Sequence, residues 1–230
     1  MQPFKIIYED NQIIVVEKIP NIPSQADKTG DTDMLTIIKE YLKKEYHKPG
    51  NVYLGLIHRL DRPVGGVMVF AKTSKAASRL SEEVRAKEFK KAYLVVVDGK
   101  MEKQQEVLED YLLKEERNNT SKVVKEGKKN AKYAKLEYTT LAYSEKMDLS
   151  VLKINLYTGR HHQIRVQLAN NKHSIFGDQK YGIRGKGKQI ALWAYELSFV
   201  HPTRKERMTF HSLPEMNKTW RLLENLELEK

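Results

Sequence analysis

The chain has 230 residues, 40% of them hydrophobic and 31% charged, the profile of an ordinary globular protein with a real core. It contains no cysteine, which excludes disulfides, thiolate zinc sites and cysteine nucleophiles and fits a reducing compartment. The net charge of +11 points to a polyanionic partner or to a lysine-rich solvated surface, and composition alone leaves both open.

Charged residues at Lys5, Glu9, Asp10, Glu17 and Lys18 interrupt the N-terminal apolar runs, so no signal peptide is expected. The longest apolar run, Ala92 to Val97, is far short of the roughly 20 residues of a membrane helix. A cytoplasmic, monomeric protein without membrane association is expected.

Two short strands open the chain, Lys5–Tyr8 and Gln12–Glu17, around the turn Glu9-Asp10-Asn11. Asp33 is placed to cap a helix in which Leu35, Ile38, Tyr41 and Leu42 recur at helical spacing, ended by Pro49-Gly50. Strands are predicted over Tyr53–His58 and Val67–Lys72, with Leu60–Gly66 as the turn between them. Thr73 or Ser74 caps a second helix, with Ala77, Leu80 and Val84 inward and Glu82, Glu83, Arg85 and Lys87 outward. Tyr93–Val97 is a β-branched run of the buried-strand kind, and Tyr133–Thr140 and Leu149–Tyr157 alternate as strands do. Arg160–Ala169 reads as a short helix. Ile190–Ala194, Leu197–Val200 and Arg207–Phe210 read as strands, and a helix near Trp220–Leu226 closes the chain. Strands in series with irregularly inserted helices argue an α+β fold with a largely antiparallel or mixed sheet, in one domain.

Two stretches are conspicuously basic. Residues 114–135 hold eight Lys/Arg against three Glu, and residues 180–188 hold Lys180, Arg184, Lys186 and Lys188 with no acid. The second also carries Gly182, Gly185 and Gly187, so its backbone can approach a phosphate chain. Either stretch can equally be a solvated hairpin or loop.

The chemistry concentrates in two places. In His58-Arg59-Leu60-Asp61-Arg62-Pro63-Val64-Gly65-Gly66, Asp61 sits in a turn with an arginine on either side, which favours its ionised form. An ionised carboxylate suits a nucleophile or base; a turn aspartate held by local contacts is the plainer alternative. In Gly159-Arg160-His161-His162-Gln163-Ile164-Arg165, helical spacing puts His161 and Arg165 on one face. Arg165 lies among apolar neighbours and needs a carboxylate partner, for which Asp61 is the candidate. The histidine pair has no third ligand at helical spacing, so no metal site is expected.

These stretches resemble the motifs of RluA-type RNA pseudouridine synthases. The run HRLDRPVGGVMVFAKT resembles that family's HRLD motif, and Lys91–Gly99 its K-x-Y-x-x-x-V-x-G strand. Leu156–Arg165 is similar to L-x-T-G-R-T-H-Q-I-R, Gly177–Gly182 to G-D-x-x-Y-G, and Ala191–Pro202 to L-H-A-x-x-L-x-F-x-H-P. The five blocks stand in order along nearly the whole chain. The departures are Val64-Gly65 for Thr-Ser or Thr-Gly, His161 for threonine and Trp193 for histidine. Lys18-Ile19-Pro20-Asn21 stands for K-P-x-G, where Asn21 can take glycine's left-handed conformation.

The resemblance implies a pseudouridine synthase fold, with a bent, mostly antiparallel sheet, flanking helices and a central RNA-binding cleft. It implies Asp61 as the catalytic aspartate, Tyr93 stacked on the flipped uracil, and Arg165 as the arginine that pairs with the aspartate. Arg59 would help displace the target nucleotide, and Arg62, Arg160, His162, Gln163, Lys186 and Lys188 would contact the RNA, a tRNA or rRNA. No cofactor or metal is implied. The chain starts at the catalytic region, so no N-terminal S4-type RNA-binding domain is expected. A non-catalytic RNA-binding protein on the same scaffold is the alternative that the intact Asp61, Tyr93 and Arg165 disfavour; a metal-dependent nuclease would need a carboxylate cluster.

Overall fold

A computed structural model of the chain describes residues 3–183, 187–224 and 226–228. In chain order the elements are β1 (Phe4–Glu9), β2 (Ile13–Lys18), α1 (Met34–Glu45), β3 (Gly55–Leu56), β4 (Gly65–Ala71), α2 (Ser74–Ala86), β5 (Lys90–Asp98) and β6 (Gln105–Glu115). There follow β7 (Thr120–Val124), β8 (Lys132–Ser144), β9 (Leu149–Leu156), α3 (Gln163–Asn170), β10 (Leu192–Val200), β11 (Arg207–His211) and a 3-10 turn at Trp220–Leu223. This is the expected α+β composition, with antiparallel pairing throughout the described ladders. The chain gathers into two compact units, Met1–Lys90 with Ala194–Leu213, and Lys91–Trp193 with Pro214–Lys230.

In the first unit the strands run β1-β2-β4-β10, with β11 on β10 and β3 on β4. The seven residues of β4 are all buried, which explains why its sequence is apolar without alternation. Ile13 and Val15 of β2, Val67 and Val69 of β4, Leu80 of α2, Phe89, and Leu197 and Phe199 of β10 form one core cluster. Burying each such side chain contributes about 1.5–3 kcal/mol. Asp33 caps α1 by accepting from the Thr36 amide, and Thr73 caps α2 through the Ala76 amide, both at the expected positions.

Several expectations for this unit are corrected. The helix α1 buries Met34, Ile38 and Leu42 and stops at Glu45, where Tyr46 and a left-handed His47 unwind it before Pro49-Gly50. In α2 it is Ala76 rather than Ala77 that is fully buried. Glu83, expected outward, turns back so that both carboxylate oxygens accept from the Val200 amide at 3.0 Å. The predicted strand over 53–58 shrinks to Gly55–Leu56, because His58 Nε2 takes the Val69 amide of β4 at 3.2 Å and ends the backbone ladder. The pieces predicted at 190–194 and 197–200 are one strand, β10.

In the second unit the order is β5-β9-β8-β6-β7, with α3 packed on β6 and β7. Val166 of α3 meets Leu112 of β6 and Ala134 of β8, with Val123 and Tyr181 against them. The strands β6 and β7 were not expected as strands. Charges on both faces, Glu106 and Lys114 on one and Glu109 and Glu115 on the other, mask the alternation of β6, and β7 lies inside the basic stretch. Three of the eight cations in that stretch are paired locally, in Lys114–Glu116 at 2.8 Å, Lys122–Glu115 at 2.6 Å and Lys135–Glu109 at 3.0 Å. The helix predicted from Arg160 begins at Gln163, and the C-terminal helix is a single 3-10 turn. No helix among the described residues is long and apolar enough to cross a membrane.

Gly66 sets a hard limit on β4. Its φ is +120°, and a Cβ there would come within 2.6 Å of the Ala194 amide nitrogen of β10. Backbone on both sides leaves nothing flexible to yield. Gly66→Ala is expected to prevent soluble folding or to lower the melting temperature by more than 10 °C, read by thermal unfolding; an unchanged melting temperature would contradict this packing.

Candidate active site

Arg59, Asp61 and Arg62 lie in the first unit, between β3 and β4. The turn closes with the Val64 amide donating to the Asp61 carbonyl at 2.9 Å. It is clamped from the opposite strand of sequence, the 18–24 loop. The Lys18 ammonium, fully buried, donates to the carbonyls of Ile19 and Arg62 at 3.1 Å each. Asn21, left-handed at φ 71° as expected, donates its amide to the Arg62 carbonyl at 2.8 Å. Ser24 donates its hydroxyl to the Leu60 carbonyl at 2.8 Å and accepts the Leu60 amide at 3.1 Å. Three backbone groups flanking Asp61, the Leu60 amide and the carbonyls of Leu60 and Arg62, are therefore fixed by a loop whose role the sequence signalled only through Lys18-Ile19-Pro20-Asn21.

Asp61 itself is partly exposed, and Arg59 is exposed. Arg62 engages Asp31 in an ion pair and donates to the Thr29 hydroxyl at 3.1 Å. Its guanidinium thus meets the loop ahead of α1.

The burial of Lys18 has an electrostatic consequence. Desolvation pushes its ammonium pKa down to about 7; the Asp61 charge opposes that shift and the Arg62 charge adds to it.

Tyr93, Arg160, His162, Gln163, Arg165 and Lys188 belong to the second unit, and Lys186 lies outside the described residues. Tyr93 is buried in β5 opposite Ile154 of β9. Arg165 is buried in α3 and makes a two-pronged ion pair with Asp178, Nε to Oδ2 and Nη2 to Oδ1, both at 2.7 Å. Asp178 also accepts the amides of Lys180 at 2.8 Å and Tyr181 at 3.2 Å. Burial works against its charge, but the Arg165 contacts and these two amides outweigh it and hold the carboxyl below its usual range. The guanidinium requirement read from the sequence is met here by Asp178. That residue stands in the quoted Gly177–Gly182 block but was given no role.

The Asp178 turn delivers Tyr181. Its ring lies 5.2 Å from the Arg165 guanidinium carbon, and its hydroxyl meets His162 Nδ1 at 2.9 Å and the Ser121 amide of β7 at 2.6 Å. Ser121 in turn donates to the His161 carbonyl at 2.8 Å and contacts His161 Nδ1 at 3.0 Å. The two histidine rings stack at 3.8 Å. Both precede the helix, His162 being left-handed at φ 52°, so the expected shared helical face of His161 and Arg165 does not form. Ser121 and Tyr181 were missed: one lies in a strand hidden by charge, the other stands in the quoted Gly177–Gly182 block but was given no role.

Gln163 spends its amide on the chain itself. It accepts from the Thr158 hydroxyl at 2.7 Å and the Arg160 amide at 3.0 Å, and donates to the Lys135 carbonyl at 3.1 Å. It shapes the turn that presents Arg160, whose Nε donates to the Tyr133 carbonyl at 2.8 Å. Lys188 is exposed. No group of three or more His, Asp or Glu among the described residues is placed to hold a metal ion.

Residues 12–170 match a family model described as RNA pseudouridylate synthase. A protein of Aquifex aeolicus described as an uncharacterized RNA pseudouridine synthase is 33% identical over 219 residues, covering 90% of this chain and 68% of its own. The ribosomal large subunit pseudouridine synthase C of Haemophilus influenzae is 30% identical over 217 residues, covering 90% of this chain and 64% of its own. The chain thus spans about two thirds of the length of these relatives. The fold is similar to that of human RNA pseudouridylate synthase domain containing 4, with a TM-score of 0.76 at 20% identity, over 92% of this chain and 89% of that one.

Folding below and above neutrality separates Lys18 from ordinary lysines. Its folded pKa lies below its unfolded one, so the unfolded chain binds the extra proton and stability rises from about pH 7 to about pH 10. Melting temperatures of wild type and Lys18→Met across that range should diverge, the wild type gaining relative to the variant as pH rises. Parallel curves would contradict a buried, depressed Lys18.

Proposed function

The chain belongs to the RNA pseudouridylate synthase family, enzymes that isomerise uridine in RNA to pseudouridine, and we propose that here the reaction runs through Asp61. The observation that carries this reading is the Asp61 turn, where a partly exposed carboxylate rides on a backbone fixed by Lys18, Asn21 and Ser24. Such preorganisation is what a reacting group needs and what a merely solvated turn aspartate does not.

The reaction is internally balanced. The C1′–N1 bond of uridine breaks, a C1′–C5 bond forms, C5 gives up its proton and N1 gains one. No oxidant or group donor is required. The uridine must first leave its stack, at a cost of a few kcal/mol. Stacking on Tyr93 offsets about 1–3 kcal/mol of that, and Arg59, Arg160 and Lys188, all exposed cations, engage the backbone. Asp61 then acts on the ribose, either attacking C1′ or removing a ribose proton, and both acts require its charge. Tyr93 and Arg165 serve the same nucleotide, Arg165 held in place by Asp178. Tyr93 provides the ring and a hydroxyl for proton removal at C5. His162, fixed through Tyr181, and Lys186 complete the RNA contacts. The substrate is structured RNA, tRNA or rRNA, the large-subunit relative supporting the second.

Asp61→Asn keeps size and hydrogen bonding and removes the charge. Single-turnover conversion of uridine-labelled RNA should become undetectable, with RNA affinity within about threefold of wild type. Turnover within tenfold of wild type would remove Asp61 from the chemistry.

A further inference from the structure

Lys91 has no role in any of the foregoing, yet its setting is unusual. On β5 it stands two residues before Tyr93, so the two side chains leave the same face of the strand, about 6.6 Å apart along it. Its ammonium lies at the Thr158-Gly159-Arg160 turn, 3.5 Å from where a Cβ on Gly159 would be. Gly159 has no side chain to cover the cation, and its neighbours are occupied: Thr158 with Gln163, Arg160 with the Tyr133 carbonyl.

Burial pushes the Lys91 ammonium pKa down, and among the described residues no opposing charge restores it. A desolvated lysine of this kind gains most when an anion arrives. The plain alternative is a lysine stem lying on apolar surface with its tip in water. That alternative gives no reason for the tip to sit over a bare glycine turn on the Tyr93 face.

We propose that Lys91 and the open Gly159 turn form a subsite for an RNA backbone phosphate, the one adjoining the nucleotide whose uracil stacks on Tyr93. This rests on the reading of Tyr93 as the stacking platform. The spacing along β5 is roughly the base-to-phosphate reach of one nucleotide. Tyr93 holds the flipped base, and Lys91 anchors the backbone that must swing with it. The phosphate brings a countercharge to the buried ammonium, so the contact forms when the nucleotide is seated.

The test is a binding cycle with short RNA hairpins carrying a single loop uridine, as all-phosphate RNA or with a neutral methylphosphonate immediately 5′ or 3′ of that uridine. Lys91→Met keeps the stem and removes the charge, and thermal unfolding confirms that it is folded; Lys91→Arg retains the charge. For wild type, one of the two methylphosphonates should weaken binding about tenfold. Lys91→Met should bind all-phosphate RNA about tenfold more weakly, with a salt slope lower by about one, and be indifferent to that methylphosphonate. Lys91→Arg should recover most of the affinity. If the variant and the methylphosphonate instead weaken binding additively, or Lys91→Met binds like wild type, the subsite does not exist. Pseudouridine formation by wild type on the same hairpins is scored separately, so a failure of the family reaction is not confused with a failure of the phosphate contact.

Discussion

A guanidinium cannot be left alone in a protein interior, and in this chain the answer to that constraint is the pair of Arg165 with Asp178. Both side chains are almost wholly buried, and removing one partner of such a pair costs about 3–5 kcal/mol. The pair does more than neutralise itself. Asp178 gathers the amides of Lys180 and Tyr181, and so shapes the turn that brings Tyr181 over Arg165 and against His162 and Ser121. One ion pair thereby ties α3, the 178–181 turn and β7 into a single rigid group.

The first unit positions its turn through backbone hydrogen bonds. Lys18 is buried and donates to two carbonyls; desolvation lowers its pKa and the Asp61 charge opposes that shift. The benefit goes to the backbone on either side of Asp61, which is pinned by hydrogen bonds from Lys18, Asn21 and Ser24. A partly exposed carboxylate carried on a fixed backbone is held in place for substrate.

Where physics acts locally, the sequence was readable. The continuous apolar runs of β4 and β5, the caps Asp33 and Thr73, and the left-handed Asn21 all appeared as expected, because each depends on residues within a few positions. The misses come from distance. The charges on β6 and β7 concealed two strands whose apolar face is completed only by α3. The need of Arg165 for a carboxylate was legible, but Asp178, thirteen residues on, could not be distinguished from other acids by spacing. His58 ended a predicted strand by replacing a backbone acceptor with its ring, and Lys18, whose burial no neighbouring residue signals, is buried. The HRLD-like motif was visible; the burial of Lys18 and the hydrogen bonds from Lys18 and Ser24 that hold it were not.

The account stands on one chemical event, the loss of the C5 proton of uracil as C1′ changes its bond from N1 to C5. Transfer and ribosomal RNA from cells lacking the gene, labelled with tritium at uracil C5, measures that event directly when incubated with the wild-type protein in EDTA. The account predicts tritium released to water in a one-to-one ratio with pseudouridine recovered from the digested RNA, without strand breaks. Retention of the label in intact uridine across both RNA classes, or RNA cleavage in place of release, would contradict it.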